Sequence, residues 1–234
     1  MARTTKKARR WRARIVGALV LVALLAAGWW WWETRNFRPA EDAYPDQGAF
    51  VSADSGAVEF PVLHAIGADF VYLLATSGAD GEDPAFARDY AAARAAGLQV
   101  GVVHVFDPCR LADGQSANFV TTVPRGQAML PPAIALTKTG EDCDPQVGDA
   151  QVESELMTFI NQIEMHVGKP VILKVSPEFE DRYTIAARLE RQLWLTRDRF
   201  APTYGGRPWL LWSANHALPT QAADEPLEWV VVQP

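Results

Sequence analysis

Leu130, Pro131, Pro132, Ala133, Ile134, Ala135, Leu136 and Thr137 form the stretch on which the reading of this chain turns. The apolar residues 133–136 have the length of a strand, and side chains two apart on a strand point to the same side. Ala135 and Thr137 therefore aim a methyl group and a hydroxyl at one place. Outward from here, short apolar runs alternate with amphipathic stretches. Candidate strands lie at 49–52, 70–74, 99–106, 133–136, 171–175, 193–195, 209–212 and 229–232, and candidate helices at 60–66, 84–96, 115–122 and 152–166. Gly67 and Gly97 stand where two of these helices should stop before a strand. The rhythm predicts an α/β fold, a sheet or barrel flanked by helices.

The N-terminus has another character. Arg3, Lys6, Lys7, Arg9, Arg10, Arg12 and Arg14 precede an apolar run at 15–32 that closes on Trp29, Trp30, Trp31 and Trp32. About 18 residues rising 1.5 Å each nearly cross a ~30 Å hydrocarbon core. Basic flanks stay cytoplasmic and tryptophans settle at the interface. The sequence thus predicts a single-pass signal anchor in an inner or plasma membrane, with everything after Glu33 in the periplasm or outside the cell. The expected organisation is a basic cytoplasmic flank at 1–14, a transmembrane helix at 15–32, a tether at 33–46 and one domain at 47–234. The alternative is a cleaved signal peptide, since Ala26, Ala27 and Gly28 offer small residues near the end of the run. Four bulky tryptophans beside them favour retention.

Charge narrows the partners. The chain carries 22 Lys and Arg against 28 Asp and Glu, a net charge of −6. Seven of the basic residues precede the apolar run, which leaves 15 against 28 beyond it, a net −13 for the exported part. A nucleic-acid reader is not expected from such a balance. The roughly 200 residues after the run suffice for one sizeable core. There is no phosphate-cradling glycine loop, nucleophile elbow or dinucleotide fingerprint. Four histidines and two cysteines without ligand spacing predict no metal, and no cofactor is expected.

Several motifs in order carry a resemblance. Gly48, Ala49, Phe50, Val51 and Ser52 match an opening G-[IV]-D-V-S strand, with Gly56, Val58, Glu59 and Phe60 in the places of a G-x-I-D-W continuation. Tyr72, Leu73, Leu74, Ala75, Thr76, Ser77 and Gly78 match Y-I-K-A-T-E-G, and Asp83, Pro84 and Phe86 match a D-P-x-F helix start. Ala96, Gly97, Leu98, Gly101 and His104 match A-G-L-x-x-G-x-Y-H-F, and the opening stretch matches L-P-P-x-x-D-x-E. Gly168, Lys169 and Pro170 precede a strand, and Trp209 with Trp212 parallels a W-x-x-W-Q-Y element. From Gly48 to Trp229 the chain resembles the family 25 glycoside hydrolases, lysozymes (N-acetylmuramidases) that cleave peptidoglycan. The resemblance implies an irregular, flattened β/α barrel of TIM-barrel-like glycosidase type, with its site at the C-terminal ends of the strands.

Read against that pattern, the family's acids are gone. Its four acidic positions fall on Phe50, Ser77, Ala135 and Thr137, while Glu228 keeps a charge where the family has a terminal D-x-N. Glycoside cleavage needs one group to protonate the leaving oxygen and another to stabilise or trap the developing charge. Alanine and threonine cannot donate that proton. Asp54, Asp107, Glu178, Asp181 and Glu228 are the possible substitutes, and their bland reading is solvated loop charge. His104, Trp209 and Trp212 are candidates for substrate binding, with His104 read first as a hydrogen-bonded structural residue. Trp194, Trp229 and Tyr204 could add stacking surface, although most tryptophans serve as core. Cys109 and Cys143 follow strands that the resemblance places side by side, so a disulfide there would staple two loops over the cleft.

The resulting expectation is a membrane-anchored, exported lysozyme-like domain, catalytically impaired, that binds peptidoglycan glycan strands or scaffolds at the cell wall. One alternative is an active muramidase with relocated acids, cleaving β-1,4 glycosidic bonds. The other is a module that binds an envelope protein. Open space with convergent acids favours the first alternative, and a filled cleft favours the second.

Overall fold

The computed structural model describes residues 3–125 and 129–234, and the chain divides into two units, Met1–Phe37 and Arg38–Pro234. Residues 1 and 2 of the expected basic flank lie outside the described residues. The first unit is one helix, α1 (Arg3–Arg35), whose stretch Arg14–Arg35 is long and apolar enough to cross a membrane. It extends past the apolar run into the expected tether. The Thr34 hydroxyl donates to the Trp31 carbonyl and the Asn36 amide to the Trp32 carbonyl, which satisfies acceptors in its last turn.

The second unit is built from β1 (Gln47–Val51), α2 (Phe60–Ala65), β2 (Phe70–Ser77), β3 (Gly81–Glu82), α3 (Phe86–Ala95), β4 (Gln99–Val105), α4 (Ala112–Thr122), β5 (Ala133–Leu136), α5 (Asp149–Val167), β6 (Ile172–Val175), α6 (Pro177–Tyr183), α7 (Ile185–Arg188), β7 (Gln192–Thr196), β8 (Leu211–Leu218) and β9 (Leu227–Val232). The sheet runs β1-β9-β8-β7-β6-β5-β4-β2-β3, and β1 also pairs with β2. That pairing closes eight strands into a barrel and leaves β3 as a two-residue flap on β2. The steps from β1 through β2 and β4 to β8 are parallel, which requires crossover connections, whereas β9 is antiparallel to both its neighbours. This one reversed strand makes the barrel irregular.

Alternation along the strands sorts the side chains into two layers. Phe70, Tyr72, Val103, Ala133, Ala135, Ile172, Trp194, Leu211 and Val230 pack inside the barrel, with Phe50 and Val105 against them. Between the barrel and α4 and α5 lie His104, Phe106, Phe119 and Phe159, all buried. Gly101 admits the large Tyr72 ring into the interior, because a Cβ there would stand 2.3 Å from it.

All eight expected strands are barrel strands, with differences at their ends that have physical causes. The seventh was read at 209–212 on its tryptophans, yet β8 begins at Leu211. Trp209 leaves the ladder to stack on Tyr44, with ring centroids 6.5 Å apart. The strand then runs on to Leu218 because β9 pairs with it across two irregularities. The segment after β6 was read as loop, but it is the helix α6. Ser176 caps it by accepting the Phe179 N–H, and Pro177 occupies its first turn.

Candidate active site

Register fixes what stands at the C-terminal ends of the strands, because paired residues share a face of the sheet. Val105, Ala135, Lys174 and Trp194 are successive partners across β4, β5, β6 and β7, and Phe50 on β1 pairs with both Tyr72 and Glu228. All of these face the interior. The Trp194 indole donates to the Ser213 hydroxyl at 2.7 Å, and that hydroxyl donates in turn to Glu228. Lys174 completes the group: its ammonium lies 2.7 Å from Glu228 Oε1 and 2.8 Å from Oε2, and stands over the rings of Phe50 and Trp194 at 4.3 and 4.4 Å.

The consequence is electrostatic. The Lys174 and Glu228 side chains are only 11% and 13% exposed, so each charge depends on the other. Burial pushes the Glu228 pKa up. The Lys174 charge and the hydrogen bonds from Lys174 and Ser213, with His216 nearby, outweigh it and hold the carboxyl below its ordinary value. A general acid requires the reverse, a carboxyl that keeps its proton near working pH. Glu228 serves as the counter-ion of Lys174, and the aromatic rings beside Lys174 add cation–π attraction.

The four positions that the resemblance assigns to the family's acids lie on or just beyond β1, β2 and β5. Phe50 is half-buried against Trp194, Ala135 is 5% exposed, Ser77 pairs with Val105 at the end of β2, and Thr137 lies exposed just beyond β5. Among the possible substitutes, Asp54 is exposed in a 3-10 turn at Ala53–Ser55, and Glu178 and Asp181 are exposed on α6. Asp107 accepts the Cys109 N–H at 3.1 Å and pairs with Lys138 at 3.0 Å. The buried acid of α6 is instead Glu180. Burial pushes its pKa up, and its carboxylate accepts the Ala186 N–H of α7. Of the five substitutes, register directs only Glu228 into the barrel.

The three expected binding residues stand elsewhere. His104 is fully buried on the outer side of β4, where Nδ1 meets the Thr76 hydroxyl at 2.8 Å and Nε2 the Gln115 carbonyl oxygen at 3.2 Å. Burial lowers its pKa to about 4, so it is neutral and structural. Trp212 is 2% exposed, donates to the Arg197 carbonyl and packs edge-on against Tyr44 and Trp209. Both tryptophans are spent on fastening the N-terminal segment of the domain. Trp229 is likewise buried, donating to Gln47 beneath the Arg38 guanidinium. The Tyr204 hydroxyl donates to the Val175 carbonyl and accepts the Thr196 N–H. Cys109 and Cys143 form a disulfide that joins the loops after β4 and β5.

Sequence reasoning missed Lys174, Ser213, the exposed Phe200 and the pair of His216 Nδ1 with Asp198 at 2.6 Å. One signal for Lys174 was present, a lone ammonium within the apolar run Ile172, Leu173, Val175, since a charge in a buried strand demands a partner. Ser213 and His216 lie on β8, and Asp198 and Phe200 in the loop after β7.

A closed eight-stranded β/α barrel with one reversed strand is consistent with the fold of a lysozyme-type glycosidase. The sequence profile of Glycosyl hydrolases family 25 matches residues 51–214, and the chain belongs to that family. Its structure is similar to a family 25 glycosyl hydrolase from Bacillus anthracis, with 24% identity, 84% of this chain and 92% of that one covered, and a TM-score of 0.76. It is also similar to a bacterial lysozyme from Streptomyces coelicolor, with 18% identity, 81% and 92% covered and a TM-score of 0.70. For a family GH25 lysozyme from Aspergillus fumigatus the values are 17%, 81%, 94% and 0.65. At these identities the likeness is one of fold. No curated protein matches the chain.

Proposed function

We propose that this protein is a membrane-anchored, exported lysozyme-like domain that has exchanged cleavage for binding at the cell wall. The observation that carries the reading is the Lys174–Glu228 pair. The carboxylate that register directs into the barrel is neutralised by an ammonium lodged between Phe50 and Trp194. Phe50, Ser77, Ala135 and Thr137 supply no proton donor and no nucleophilic carboxylate to replace it. The apolar helix segment Arg14–Arg35 supports the anchoring. Family membership points to peptidoglycan glycan strands as the ligand.

A second reading has its own observation. Phe50, Trp194 and Tyr72 pack ring against ring through the centre of the barrel, which favours a filled cleft and a protein partner in the envelope. Sedimentation of the detergent-solubilised full chain with purified peptidoglycan separates the two. The glycan reading expects the protein in the pellet and its release by soluble glycan fragments, and a chain that stays in the supernatant at every ionic strength rules it out.

A further inference from the structure

The end of the barrel opposite Lys174 is hollow. A cavity of about 260 Å³ opens where the parallel strands begin, walled by Phe70, Tyr72, Leu130, Ile172, Leu211 and Val232. Small barrels of this type normally fill their interiors with layers of side chains, and the cavity at this end departs from that pattern. Next to it lies a second hollow of about 440 Å³ that shares Gln99, Leu130 and Pro131 with the first and carries Arg94 and Lys169. Lys169 directs one N–H at the Met129 carbonyl, and an ammonium has three to give. The two hollows thus set an apolar chamber beside a cationic one.

We propose that this end of the barrel binds an anionic phospholipid, with part of an acyl chain in the apolar cavity and the phosphate on Arg94 and Lys169. The polarity of the site sets the orientation. Asp46 and Asp69 line the apolar cavity and repel an anionic head, whereas the cations line only the neighbouring hollow. Arg38, the first residue of the second unit, donates to the Ile66 and Gly67 carbonyls just before β2, at this end of the barrel. The choice of a lipid rests on the anchoring proposed above, since lipid is the amphiphile an anchored chain meets.

Hydrogen exchange on the full chain in nanodiscs tests this. Co-elution with phosphatidylcholine discs reads the anchoring alone. The lipid site expects amides at 99–101, 130 and 210–211 to exchange more slowly in discs containing phosphatidylglycerol than in phosphatidylcholine discs. Arg94→Gln and Lys169→Gln should each weaken that protection about fivefold, the usual effect of one basic residue at an anionic surface. Equal exchange in the two discs, or protection untouched by either substitution, overturns the proposal. Protection produced by inorganic phosphate in phosphatidylcholine discs also overturns it, by reassigning the site to a free anion.

Discussion

The two ends of the barrel are filled by different means. Where the strands end, a charged pair, a hydroxyl and two aromatic faces interlock around Lys174. Where they begin, apolar side chains stop short of one another and leave about 260 Å³ of space. Closure of the barrel constrains both ends alike, so the difference lies in side chains and not in topology. On the proposed reading, a glycosidase scaffold keeps its shape without the family's carboxylates because another arrangement satisfies the buried polar groups at the mouth.

The comparison breaks most decisively at Lys174. Lys174→Met leaves the Glu228 carboxylate buried without its partner and should cost about 3–5 kcal/mol in denaturant unfolding. Adding Glu228→Leu should recover most of that loss. A single substitution that costs under about 1 kcal/mol, the range of exposed ion pairs, would mean the mouth is wetter than its 11% and 13% side-chain exposures indicate. The disulfide holds the loops of the same end, across a sequence separation of 34. Cys109→Ser with Cys143→Ser should lower stability by about 3–4 kcal/mol on the chain-entropy estimate, read by thermal unfolding with and without reductant.

His104 sharpens the boundary between the barrel and its helices. The unfolded chain takes up this proton near pH 6.5 and the folded chain only near 4. The stability linked to it is complete above 6.5 and falls as pH drops toward 4, by roughly 3 kcal/mol at 1.36 per pKa unit. His104→Gln should flatten that part of the profile. The depressed Glu228 group contributes its full stabilisation above the ordinary carboxylate pKa of 4.5 and loses it as pH falls below that value. The smallest effects contrast the two ends directly. Ala135→Leu, in the packed layer, should cost about 1–3 kcal/mol by overpacking, while Leu210→Phe beside the cavity should change stability by less than about 1 kcal/mol. Equal costs at the two sites would erase the distinction.

Much of the scaffold was legible because each barrel strand is a short apolar run between turn residues, and family motifs set their order. Residues 133–136 were read to the residue as β5. The short helix α6 escaped because seven residues give little periodicity, and its Ser-Pro start at Ser176 was the signal to weigh. At the site the sequence offered only the expectation, carried by the resemblance, that Phe50, Ser77, Ala135 and Thr137 replace the family's acids, and nothing local announces that Lys174 meets Glu228. Those two lie on strands that are not neighbours and meet across the interior of the closed barrel. The tryptophans misled for the same reason: Trp209 and Trp212 find Tyr44 on the outside, while Trp194 is the one that turns inward.

The loss of glycosidase chemistry is tested most directly by incubating the detergent-solubilised full chain with purified peptidoglycan from pH 4 to 8 and measuring new reducing ends. The Lys174–Glu228 arrangement predicts no release above that of heat-denatured protein at any pH. Release that disappears in Glu228→Gln, or in Asp54→Asn, Asp107→Asn, Glu178→Gln or Asp181→Asn, would contradict it and identify the acid at work.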